Sequence, residues 1–161
     1  MARATFRAKL FLAALATAAL ALVVASALFA GLMRARTNAR IESTLVAEAH
    51  LAVELVKAAP ADARWQDEAV RVGTAVGARV TLVAPDGHVV ADSAETPEAV
   101  ATMENHGTRP EIVEARESGL GAARRPSDTL RVDMLYVAVP ASRPDGAIVR
   151  LALPLTSVEQ Q

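Results

Sequence analysis

Residues 10–33 read LFLAALATAALALVVASALFAGLM, and from Leu10 to Met33 no side chain is charged. As a helix rising ~1.5 Å per residue, the run reaches roughly 36 Å, enough to cross a hydrocarbon core about 30 Å thick with some tilt. It reads as a membrane anchor. Arg3, Arg7 and Lys9 precede it and Arg34, Arg36 and Arg40 follow it, so positive charge alone sets no orientation. A short tail ahead of a large polar domain favours a cytoplasmic N-terminus. The competing reading is a cleaved signal peptide with Ala25-Ser26-Ala27 as its small-residue site, but the apolar run continues past that site to Met33. Both readings export the remainder.

Residues 34–59 contain neither Gly nor Pro, so the anchor is expected to run on into a stalk helix with Gly31 as its one flexible point. Ile41, Leu45, Ala49, Ala52, Leu55 and Val56 recur at helical spacing, while Glu42, Glu48, Glu54 and Lys57 face elsewhere. The seam Leu45, Ala49, Ala52 and Val56 has the alternating three and four spacing of a coiled coil, over two heptads only. Packing against the chain's own domain accounts for it equally well, but a membrane concentrates copies of the chain and favours a homodimer through this face. A proline at Ala49 is then expected to uncouple the stalk and leave the domain folded.

The chain has 161 residues, with 17 basic and 18 acidic side chains and a net charge of −1. Because Arg3, Arg7 and Lys9 lie ahead of the anchor, the part beyond Met33 is mildly acidic. Outside the anchor region only Trp65 and Tyr136 are aromatic, so the basic, aromatic-lined surface that a nucleic acid requires is missing. The absence of cysteine excludes disulfides, thiolate metal sites and cysteine nucleophiles.

Pro60 closes the stalk, and Asp62 is placed to cap a second helix whose inner face is Trp65, Ala69, Val72 and Val76, with Gly77 as its stop. Val80, Leu82 and Val83, then Ala84-Pro85-Asp86-Gly87, then Val89, Val90 and Ala91 spell a β-hairpin. A polar stretch from Asp92 to Thr108 holds at most a helical turn around Pro97 to Met103. A short helix opens at Pro110 and ends at Gly119. Three further strands are expected: Gly121 to Pro126, Leu130 to Val139, and Ala147 to Leu153, the last two linked by a turn over Pro140 to Gly146. Both faces of the middle strand are apolar, so it is expected to be covered on both sides. The fold class is α+β, with a mostly antiparallel five-stranded sheet and its helices to one side.

Asp92-Ser93, Met103-Glu104-Asn105-His106, Arg109-Pro110-Glu111-Ile112, Gly119 to Gly121, Ser127-Asp128-Thr129-Leu130 and the run Met134 to Pro140 together carry a resemblance. The chain resembles the extracytoplasmic PAS-like or Cache-type sensor region of PhoR-type bacterial sensor histidine kinases. The resemblance implies an inner-membrane protein with its sensor domain outside. Its parts would be a cytoplasmic tail (1–9), a transmembrane helix (10–33), a stalk helix (34–59), a sensor domain (60–154) and the start of a connection to a second membrane helix (155–161). It also implies later linker, phosphoacceptor and ATP-binding domains, through which alone a response regulator would be reached. The expected function is the input half of a two-component receptor, with an unknown ligand or partner protein. The rival readings are the sensor of a chemoreceptor or cyclase, or a secreted binding module.

No catalytic constellation appears in the residues themselves. His50, His88 and His106 fall on different elements, and neither a metal-binding spacing nor a nucleophile elbow nor a phosphate loop occurs, so no metal, cofactor or catalytic residue is assigned. The candidate ligand site is His106, Arg109, Arg124 and Arg125, which converge if the short helix packs over the strand opening at Gly121. Guanidinium groups beside a helix N-terminus suit an anionic ligand. The plainer alternative pairs Arg124 and Arg125 with Asp128, Asp133 and nearby glutamates.

Overall fold

The computed structural model describes residues 6–60, 62–126, 132–141 and 147–155. It divides into two compact units, Met1–Ile41 and Glu42–Gln161. The first unit contains the N-terminal part of helix α1, Phe6–Lys57, which holds a segment long and apolar enough to cross a membrane. That segment buries nothing within the unit, and Leu20 and Phe29 stand exposed.

The second unit is built on a five-stranded antiparallel sheet of order β2-β1-β5-β4-β3. Its strands are β1 (Arg79–Val83), β2 (Val89–Asp92), β3 (Gly121–Pro126), β4 (Asp133–Pro140) and β5 (Ile148–Pro154). Helix α2 is Trp65–Val76, α3 is Pro97–Ala101 and α4 is Pro110–Ser118. The turn signals act as written: Gly77, Gly87 and Gly119 all take positive φ, ending α2, turning the β1–β2 hairpin and ending α4. Asp62 is not the cap of α2; that position is Arg64, in extended conformation and with no side-chain bond to the helix. The strand expected from Leu130 starts at Asp133 as described, and both 127–131 and most of the turn to β5 (142–146) lie outside the described residues.

Helices cover both faces of the sheet, not one. Successive strand residues point to opposite sides. Leu82 shares an apolar recess with Val56 of α1, whereas its neighbour Thr81 bonds into the side chains gathered under α4. On the α1 side, Leu45, Ala49, Ala52 and Val56 are all buried, at no more than 1 % exposure. The seam read as a dimer interface is therefore spent inside the chain's own core and cannot serve a second copy. The compact unit begins at Glu42, so the greater part of the segment read as a stalk, from residue 42 on, belongs to the domain. On the other face, Ile112 and Ala115 of α4 pack with Val83, Ala138 and Ile148. Full burial of a valine, leucine or isoleucine in these two layers contributes about 1.5–3 kcal/mol.

Candidate functional site: a half-satisfied charged cluster under α4

Three devices fix α4 over the sheet. Gly121 lies so close beneath it that an added Cβ would stand 1.9 Å from the Glu111 carbonyl oxygen. Arg116 Nη2 donates to the Pro85 carbonyl at 2.9 Å, tying the helix to the hairpin turn, and Glu114 Oε2 accepts from the Ala122 amide at 3.0 Å. The loop leading into α4 is clamped to the same turn. Asn105 Nδ2 donates to the Asp86 carbonyl at 2.9 Å, Asn105 Oδ1 accepts from the Gly107 amide at 2.7 Å, and the His106 amide donates to the Gly87 carbonyl at 2.8 Å. Asn105 is thus a loop clamp, while the His106 ring and Arg109 are left at the start of the helix.

Glu111, in the first turn of α4, is fully buried. Its Oε1 accepts from Arg150 Nε at 2.8 Å and from Arg125 Nη2 at 3.0 Å. Both guanidiniums lie 4.3 Å from the centroid of the Tyr136 ring, stacked by attraction to its π-face. Arg150 Nη1 reaches Thr81 Oγ1 at 3.4 Å, and Thr81 donates to Asp92 Oδ2 at 2.8 Å. Asp92 is also fully buried, yet it is saturated: Arg79 Nε contacts both its oxygens, at 2.9 and 3.1 Å, and the Ala94 amide donates to Oδ1 at 2.9 Å. Such a set of donors on both oxygens offsets the hydration that a buried carboxylate gives up.

Glu111 lacks it. Among the described residues, the buried polar side-chain atoms without a partner are Glu111 Oε2, His106 Nδ1, Arg109 Nε and Arg125 Nε. All four belong to this cluster. His106 is held at a pKa of about 4, first by burial and then by the charges of Arg150 and Arg109, so its imidazole is neutral at pH 7. Burial also draws the Arg150 guanidinium below its ordinary value, opposed by the neighbouring Glu111 carboxylate.

Of the four residues proposed from sequence, His106, Arg109 and Arg125 come together. Arg124 does not. It precedes Arg125 on β3, projects from the opposite face and pairs with Glu42 of α1 at 2.9 Å. Arg124 thus meets Glu42 on α1 and Arg125 meets Glu111 on α4, and Asp128 lies outside the described residues. Glu111, Tyr136 and Arg150 complete the cluster and are not among the four. Arg150 carries a sequence signal, since it is the single charge in the apolar strand Ile148 to Leu153, where a buried cation needs a buried anion. On the α1 side, an apolar recess of about 120 Å³ lies beside Trp65, Val56 and Leu82. It offers no convergent polar groups.

No family model matches the chain, and no curated protein matches its sequence. Among solved structures it is similar to the sensor domain of the V. cholerae histidine kinase DctB, with TM-score 0.49 and 17 % identity. That match covers 74 % of this chain and 44 % of the DctB chain, so the present chain corresponds to less than half of that structure.

Proposed function

We propose that the chain is the membrane-anchored, extracytoplasmic input region of a bacterial sensor histidine kinase, with the cluster under α4 as its ligand site. The observation that carries this reading is the double use of α1. One helix supplies both the uncharged run Leu10 to Met33 and, at Leu45, Ala49, Ala52 and Val56, part of the sheet domain's core. A domain whose own core helix is also its apolar segment is suited to passing a change of arrangement towards the bilayer. The residues on which the family resemblance rests support it too: Asn105 clamps the loop, and His106, Arg109, Glu111 and Tyr136 are gathered at the cluster. A ligand acts by favouring one of two arrangements of the domain, to the extent that it binds them unequally.

The native sequence has no cysteine, so single-cysteine variants report topology without background. Ala2→Cys and Glu54→Cys, each in the full chain expressed in intact cells, are treated with a membrane-impermeant maleimide. Labelling is expected at position 54 from outside and at position 2 only after permeabilisation. Recovery of a soluble chain lacking the first thirty or so residues would overturn the reading in favour of a cleaved leader.

A further inference from the structure

We infer that the cluster selects a compact oxyanion that carries its own hydrogen-bond donor, a proton-bearing phosphate or a 2-hydroxycarboxylate, over an anion of similar size without one. This rests on the preceding reading of the cluster as the ligand site. Three guanidiniums, of Arg109, Arg125 and Arg150, stand with one carboxylate and a neutral imidazole, all close enough for each charge to perturb His106. The local charge is therefore positive, which excludes a cationic guest and favours an anion.

The unpartnered atoms say more than the charge does. Arg109 Nε and Arg125 Nε are donors, but Glu111 Oε2 is an acceptor on a side chain with no solvent exposure. An anion lacking a proton would meet the two arginines and then face a second negative oxygen at Glu111. An anion with an O–H beside its charge meets both kinds of group. His106 Nδ1 accepts or donates according to its tautomer and so fits either side of such a guest.

The cluster reaches solvent at Arg125, whose side chain is 26 % exposed, while Tyr136 and Arg109 are half-buried. Glu111, His106 and Arg150 are buried, so a guest that reaches Glu111 Oε2 has to displace the side chains over it. Saturated Asp92, in the same network, shows that the fold can supply every donor a buried carboxylate needs. Glu111 is the one left open.

The test uses the full chain in detergent micelles at pH 7 and constant ionic strength, with isothermal titration calorimetry as the readout. Two matched pairs serve as probes: inorganic phosphate against sulfate, and glycolate against acetate. The donor-bearing member of at least one pair is expected to bind tenfold or more tighter than its partner, and the pair that discriminates identifies the source of the oxyanion. Arg109→Gln is expected to weaken both members of that pair alike. Glu111→Gln, with folding checked by Trp65 fluorescence, is expected to bring the pair to within about twofold. Equal binding within both pairs, lost in Arg109→Gln, would overturn the donor requirement and leave an anion site. No binding of any of the four probes would overturn the ligand-site reading as well.

Discussion

Arg150 and Glu111 form a buried ion pair, at 6 % and 0 % side-chain exposure. Removing one partner of such a pair leaves the other charge buried, which typically costs about 3–5 kcal/mol, whereas replacing both by apolar groups is often close to neutral. Arg150→Met, which leaves Glu111 with Arg125 alone, is therefore expected to lower domain stability by up to about 3 kcal/mol, and adding Glu111→Leu and Arg125→Met, which removes the whole triad, to restore most of it. The sole tryptophan, Trp65, lies in the sheet domain, so urea unfolding followed by its fluorescence reads this in the full chain. His106 supplies the pH dependence. Its native pKa, about 4, is below the ordinary 6.5, so between those values the unfolded chain binds a proton that the native chain refuses. Stability contributed by the neutral ring is present above about pH 6.5 and is lost as pH falls towards 4, by up to about 3 kcal/mol. His106→Gln is expected to flatten this part of the stability profile. At this scale the sequence is only partly legible. Three of the four proposed basic residues meet, but strand alternation, which separates Arg124 from Arg125, has to be applied with the correct helix on each face. The partner of Arg150 lies 39 positions away. Nothing local announces that pairing.

Helix α4 has little freedom of placement, because its backbone rests directly on Gly121. A Cβ there would stand 1.9 Å from the Glu111 carbonyl oxygen and 2.8 Å from the Ala115 amide nitrogen, and neither is the movable end of a side chain. Gly121→Ala is expected to lift the helix, costing about 2–3 kcal/mol and disordering the cluster that begins at Glu111. Gly31→Ala makes the control, since nothing lies within 4 Å of its added Cβ and α1 gains helix propensity. The thermal unfolding midpoint of the first variant should fall, and that of the second should hold or rise. Element positions are largely readable because glycine and proline punctuate them: Gly77 and Gly119 close helices, and Gly87 turns the hairpin. The start of α2 escapes this punctuation. Asp62 has the chemistry of a capping residue, but a cap there requires a helix opening at Ala63, and the helix opens at Trp65 with Arg64 in the cap position.

At the scale of the whole molecule, α1 is the element whose role differs most between sequence and structure. Its apolar seam has the same spacing whether it meets another helix or a sheet, so periodicity alone leaves both options open. The sheet's order shows why the second is realised: β1, β5 and β4 present a continuous apolar surface that a helix has to cover. Ala49, with no exposed surface, lies in that contact, so Ala49→Pro is expected to unfold the domain by breaking core packing as well as a helical hydrogen bond, a loss of at least about 3 kcal/mol. Ala39→Pro, in the first unit, is expected to leave the Trp65 unfolding midpoint within measurement error and, under the function proposed above, to abolish ligand-dependent output in a receptor that carries this region. A wild-type response from that variant would overturn the proposed relay through α1. The sheet order has one more effect, on how the domain is made. The last strand, β5, occupies the middle position, bonded on one side to β1 and on the other to β4. Without β5, the pairs β1–β2 and β3–β4 have no strand in common, and each keeps one inner edge unpaired. The two ribbons can therefore be joined into one sheet only through residues 148–154, so a chain cut before Ile148 is expected to leave the sheet in two parts.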